Sequence, residues 1–130
     1  MPAPATFEYS VDTIEAAHQA VLDLIDAGAS NGTVKIRDES DTQLAEIPLD
    51  DPAGTINVST GRLTITASGP DTDADATGTC SYGEICDSDG NVILTLPAES
   101  GTSAVLGKIV LNSLSIAAGA EVTMVSAIIG

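Results

Sequence analysis

INVSTGRLTIT, residues 56–66, is the stretch that commits this chain to sheet. Ile56 and Val58 alternate with polar neighbours before a Ser-Thr-Gly turn at 59–61, and Leu63 and Ile65 alternate with threonines after it. Apolar side chains at every second position fill one face of a pleated strand, and a short Gly-containing connection between two such runs predicts a hairpin. The same period extends upstream. In TVKIRD (33–38), Val34 and Ile36 alternate with Lys35 and Arg37, and in QLAEIPLD (43–50), Ala45, Ile47 and Leu49 share a face. Pro48 has no N–H to give to a ladder, which predicts an edge strand there.

Downstream, residues 77–86 predict one continuous extended segment, and DSDG (87–90) predicts a turn in which Asp89 and Gly90 suit positive φ. Val92, Leu94 and Leu96 then share a face. VLGKIVLNS (105–113) follows, and AAGA (117–120) is expected to turn LSI into EVTMVSAII as a terminal hairpin. No internal repeat of fixed period is expected.

Only one segment has helical periodicity. Ile14, His18, Val21 and Ile25 fall on one stripe at 100° per residue, flanked by Val11, Ala17, Leu22 and Leu24, while Glu15, Gln19, Asp23 and Asp26 point elsewhere. Asp12 and Glu15 have capping-box spacing and Gly28 supplies a stop, so a helix is predicted over about 12–27. The sum is a mainly β fold: an antiparallel β-sandwich or jelly-roll-like domain preceded by one N-terminal amphipathic helix. Residues 1–10 are expected to form an extended arm. Residues 11–130 are expected to form a single domain, with the sandwich over about 33–129.

Composition narrows the function. The chain has 130 residues, 43% hydrophobic but only 2% aromatic, so Val, Ile, Leu and Ala must build the core. Nineteen acidic residues against Lys35, Arg37, Arg62 and Lys108 give a formal charge of -15, which repels a phosphate backbone; nucleic acid is not an expected partner. No apolar run approaches the ~20 residues of a membrane span, so no membrane partner is expected. MPAPATFEYS lacks the basic and apolar regions of a secretory signal, and synthesis in a cytoplasm is expected.

Three groups of residues invite chemistry. Asp71, Asp73 and Asp75 have the alternation that opens a calcium loop, but positions 76 and 82 hold Ala76 and Tyr82 where that loop needs Gly and Glu; a loop from Asp87 fails likewise at Val92 and Ala98. His18, the sole histidine, sits in the helix's apolar stripe, as a hydrogen-bonded core residue or a subunit contact would. Cys80 and Cys86 have neither zinc-knuckle nor Cys-x-x-Cys spacing. On one continuous strand they would lie about 20 Å apart on the same face, too far for a bond to each other. They are then two free thiols or an intersubunit disulfide, and a tight bend at Tyr82-Gly83 would reopen an intrachain pair. No catalytic, metal or cofactor residues are assigned, and no enzyme activity is expected.

The order LDLIDAG, TVKIRD, LAEIPLDDPA, LTITA, DADATGT, DSDG and LNSLSIAAGAEVTM resembles a family of small virion structural proteins of tailed bacteriophages and prophages, over residues from about 22 to 129. Where that family tends to have a Trp-Phe-Arg-like run, this chain has Cys80, Ser81, Tyr82, Gly83 and Glu84. The resemblance implies a capsid decoration (cement) protein on the outer surface of the virion, a homotrimer that contacts the major capsid protein and is synthesised in the host bacterial cytoplasm. Its alternatives are a tail, baseplate or fibre-associated module, or a β-sandwich carbohydrate-binding or adhesin domain. In the cement role the N-terminal arm is expected to lie along a neighbour, with Phe7 and Tyr9 as aromatic anchors.

Overall fold

Ser10, in extended backbone at ψ 159, starts the only helix among the described residues; its hydroxyl accepts the Thr13 N–H at 3.2 Å. In this computed structural model, which describes residues 8–130, helix α1 spans Val11–Ile25. The cap is therefore two residues earlier than the capping-box spacing indicates, and Asp12 lies in the first turn, where its charge meets the positive end of the helix dipole. His18, Leu22 and Ile25 are buried and Ile14 and Val21 half-buried, so the apolar stripe is the expected one, rotated slightly toward Leu22. The helix stops before Gly28. Asp26 caps it and turns its carboxylate to the Ala53 N–H, at 3.1 and 3.3 Å, tying the helix end to the sheet.

Among the described residues nine strands follow: β1 Thr33–Arg37, β2 Gln43–Ile56, β3 Leu63–Ala67, β4 Gly78–Thr79, β5 Tyr82–Cys86, β6 Val92–Ser100, β7 Ile109–Leu111, β8 Ser115–Ile116 and β9 Met124–Ile129. The chain is thus mainly β with one N-terminal helix. Seven strands close into a barrel in the order β1-β2-β3-β9-β7-β6-β5, while β4 and β8 form a separate two-stranded sheet. The expected sandwich or jelly roll is not confirmed by this pairing. Closure leaves no free edge in the seven-stranded sheet, and it is completed by a parallel pair, β6 with β7, that a purely antiparallel reading does not contain.

Register explains the core. Val34 and Ile36 pair with Ile47 and Ala45 on one side and with Ile85 and Gly83 on the other, so these residues face the interior together. Lys35, Glu46 and Glu84 share the opposite face. β7 is buried at all three residues, and Leu44, on the outward face of β2, is buried too, because the Asp75 and Ala76 N–H groups bond its carbonyl and Gly78 packs on its side chain.

Four local expectations need correction. The hairpin centred on residues 56–66 is present, with Ile56 opposite Leu63, but its first strand ends at Ile56; the Asn57 N–H bonds the Arg62 carbonyl, and Val58 lies exposed in the turn. Pro48 sits in an inner strand, where its missing N–H falls at the last pair with β1 and its carbonyl accepts from Ser68. Residues 77–86 are two strands. The chain leaves β4 at Cys80, whose N–H bonds Leu114, and enters the barrel through Ser81, whose N–H bonds Arg37. The AAGA turn is formed, with Gly119 at φ +82, but β8 pairs with β4 and β9 with β3 and β7, so no terminal hairpin exists.

The pairing also uncovers an internal repeat. Residues 36–48, IRDESDTQLAEIP, and 85–97, ICDSDGNVILTLP, align at an offset of 49 positions. Asp38 and Asp87 head equivalent turns, Asp41 (φ 66) and Gly90 (φ +86) take the same left-handed position, and both hairpins shift register just after Ile36 and Ile85. β1 and β5 pair antiparallel about Lys35 opposite Glu84, which places the two hairpins around a local pseudo-twofold axis.

Candidate functional site

Of the acidic residues that suggest a cation site, Asp71 and Asp87 bond backbone N–H groups, and Asp75 accepts the Gln43 side-chain amide at 2.9 Å. Asp87 accepts N–H groups of Asp89 (3.0 Å) and Asn91 (2.9 Å) and the Asn91 side-chain amide (3.0 Å), and these bonds, the Asn91 side chain foremost, hold its carboxyl below the usual value. Asp38 accepts from Ser40 and Thr42, both at 2.9 Å. Asp71 holds the Glu46 N–H at 2.8 Å with one oxygen and the Asp73 N–H at 2.9 Å with the other. The bonds of Asp87 and Asp38, and that of Asp71 to Asp73, are Asx-type turns that shape their loops, while the Asp71 bond to Glu46 ties a loop to β2. Among the described residues, no three His, Cys, Asp or Glu side chains converge as a metal site.

Opposite signs of pH dependence follow. The lowered carboxyl of Asp87 stabilises the fold above the ordinary value of 3.8, and that contribution disappears as pH falls through its folded pKa. Asp26 is raised, chiefly by desolvation, so its ionised form is disfavoured in the fold and the wild-type residue gains as pH falls toward 3.8. Urea midpoints are therefore expected to show Asp87→Asn less stable than wild type near neutrality, with the gap closing in acid. For Asp26→Asn the comparison should shift in favour of wild type over the same descent. Parallel pH curves for the two variants would contradict these assignments.

Cys80 and Cys86 are both buried and free. The Cys80 thiol faces the Tyr82 carbonyl at 3.6 Å and is pushed up to about 11 by burial; Cys86 faces the Glu84 carbonyl at 3.7 Å and is raised for the same reason. Both sulfurs are buried within the chain, and the single continuous strand on which the even spacing would set them on one face is interrupted between Thr79 and Tyr82. Since the thiolate is the reactive species, thiol labelling of the native chain is expected to be at least ~100-fold slower than after unfolding. Rapid native labelling of either cysteine would overturn this placement.

A polar lock that sequence patterns did not single out lies beside Cys80. Arg37 Nε donates to Glu84, its Nη1 donates to the Asp41 carbonyl at 2.9 Å, and the Tyr82 hydroxyl donates to Asp41 at 2.6 Å, which pushes the phenol up to about 12. The group pins the β1–β2 turn onto β5, next to a shallow cavity of about 420 Å³ lined by Asp38, Glu39, Ser40, Thr79, Cys80 and Ser81. Arg37 and Tyr82 are residues 37 and 82 of a strand pair, legible only once β1 is known to lie beside β5.

The other notable region is at the helix end. His18 is a core residue, as one of its two expected placements had it: its Nδ1–H donates to the Gly61 carbonyl at 2.6 Å, and Gly61, at φ +76, packs on Ile14. A side chain at position 61 would meet Ile14 in a backbone conformation that favours glycine. Tyr9, Thr13, Ile14, Ala17, His18 and the C-terminal Gly130 line a second cavity of about 310 Å³. Gly130 also packs against Leu106. Of the two expected anchors, Tyr9 stands on this rim and is exposed, while Phe7 lies outside the described residues.

Comparisons of this chain with protein-family models, with curated proteins and with solved structures found no match.

Proposed function

We propose that this chain is a structural protein of a tailed-bacteriophage virion, a decoration protein that self-associates as a trimer and binds the major capsid protein on the outside of the shell. The observation that carries the reading is a group of exposed apolar side chains near the start of the helix on an acidic chain. Tyr9, Val11, Val58 and Leu106 are exposed there, gathered by the start of α1, the turn at 57–62 and the C-terminus. A group of exposed apolar side chains on a highly charged body fits a docking face. A charge of -15 suits an exterior position, since inside a shell it would repel packaged DNA. The segment order resembling small virion proteins supports the same role. The role asks rigidity of the body, which a closed barrel provides as well as the sandwich or jelly roll expected from strand count.

Immunogold labelling of intact particles tests this. Gold over the whole head is the expected result; gold confined to the tail would overturn the capsid placement in favour of a tail module.

A further inference from the structure

Every strand of the barrel has a neighbour on both sides, yet β6 meets β7 only at Ala98, Glu99 and Ser100; from Val92 to Pro97 its ladder lies on the β5 side alone. The Ala98 N–H bonds the Ser81 carbonyl, and ladder bonds recur at every second residue, so Thr95 turns its backbone groups away from β5. Ile93, skipped between the paired residues Val92 and Leu94, lies on the same side. Among the described residues, no hydrogen bond reaches the Thr95 N–H or the Ile93 carbonyl. In the other half of the internal repeat their counterparts are Glu46 and Leu44, and both are covered. The Asp71 carboxylate takes the Glu46 N–H at 2.8 Å, and the Asp75 and Ala76 N–H groups reach the Leu44 carbonyl at 2.8 and 3.3 Å. Leu44 is fully buried there, whereas Ile93 and Leu94 are half-buried and Val92 and Thr95 exposed. The fold caps one of two equivalent edges and leaves the other to solvent.

The two open groups are a donor and an acceptor, and they complement each other. Two copies of β6 laid antiparallel about a twofold axis at Leu94 bring Thr95 of each opposite Ile93 of the other, so each Thr95 N–H meets an Ile93 carbonyl across the axis. Centred on Thr95 instead, the pair would set Ile93 against Pro97, which has no N–H to give. Charge permits the approach. On a chain of -15, the stretch from Asn91 to Ala98 carries no ionisable side chain; Asp89 precedes it, and Glu99 follows with Lys108 Nζ at 3.8 Å. Glu84, opposite Thr95 on β5, is engaged by Arg37. A contact that uses the same edge twice closes as a pair rather than running on as a fibre.

We propose that the open edge of β6, from Val92 to Leu96, pairs with the same edge of a second copy of this chain. The contact is twofold and independent of the threefold association proposed above: alone it makes a dimer, and with that association it joins two trimers. Sedimentation of the purified full-length chain over a range of concentrations, with hydrogen exchange read at the Thr95 amide, tests it. Exchange at Thr95 is expected to slow about tenfold or more as the paired species fills. Thr95→Pro removes an N–H that β5 does not use, and Val92→Glu puts an acid on the exposed, uncharged stretch. Each should weaken the twofold step about tenfold or more, the scale of two lost hydrogen bonds, with folding checked by thermal melting. Pairing that leaves Thr95 exchange unchanged, or that folded Val92→Glu protein keeps at full strength, would overturn the edge contact. A trimer and nothing larger would overturn it and leave the threefold reading standing, a dimer that never forms trimers would do the reverse, and a monomer at all concentrations would overturn both.

Discussion

Gly83→Val is expected to cost about 3 kcal/mol, the upper end of the range for forcing extra carbons into a filled interior. Gly83 lies mid-strand in β5, and a Cβ there would overlap the Cδ1 of Ile109 while standing 3.4 Å from Val34 Cγ1 and 3.5 Å from Ile36 Cδ1. All three neighbours are fully buried, so none can swing into solvent. The contact with Ile109 crosses from β5 to β7, the two strands that flank β6, over the interior of the sheet. Ile109→Ala alone should cost about 2–5 kcal/mol through the cavity it leaves. Combined, the two changes should relieve each other by more than ~1 kcal/mol relative to their sum, read from urea unfolding. Strict additivity would mean that Gly83 and Ile109 do not meet.

Ile47→Ala should cost about 2–5 kcal/mol, whereas Val58→Ser should stay within about 0.5 kcal/mol of wild type. Both residues are β-branched and both fall on the apolar phase of an alternating run, so the pattern alone gives them equal weight. Ile47 is fully buried between Val34 and the barrel interior; Val58 is 75% exposed beyond the end of its strand. A large loss at Val58 would restore the longer strand that the alternation predicts.

That pair shows where sequence was informative. Period-two alternation places Val34, Ile36, Ala45, Ile47, Leu49, Leu63 and Ile65 inside, and all seven are buried, because a strand with one covered face admits only one phase of side chains. The helical stripe is equally local and equally legible. Strand ends were not: the alternation runs on through Val58 although Asn57 already bonds Arg62 across the turn, and Cys80 bonds Leu114, a partner that no short window contains. Barrel closure depends on β1 meeting β5 and on β6 lying parallel to β7, long-range choices with no signature in alternation.

The candidate sites divide the same way. His18 could be assigned to the core from its stripe, though its partner Gly61 lies 43 positions away. The acidic loops resemble ligand sets because Asp at the head of a turn serves N–H groups as readily as it serves a cation. The duplicated hairpin was accessible in principle: Asp38 and Asp87 each precede a left-handed residue by three positions and a proline by ten. What hid it was the absence of identity between, where only the apolar phase is kept. The groove at the helix end joins residues 9–18 to Gly130, and nothing in either stretch announces the other.

The central claim is that this chain coats a shell as one of its repeating parts. Quantitative mass spectrometry of purified particles tests it most directly, by measuring copies of this chain against copies of the major capsid protein. A fixed ratio near one per capsid subunit, lost together with the shell's resistance to heat when the chain is omitted, is the predicted result; a few copies per particle, or none, would contradict it.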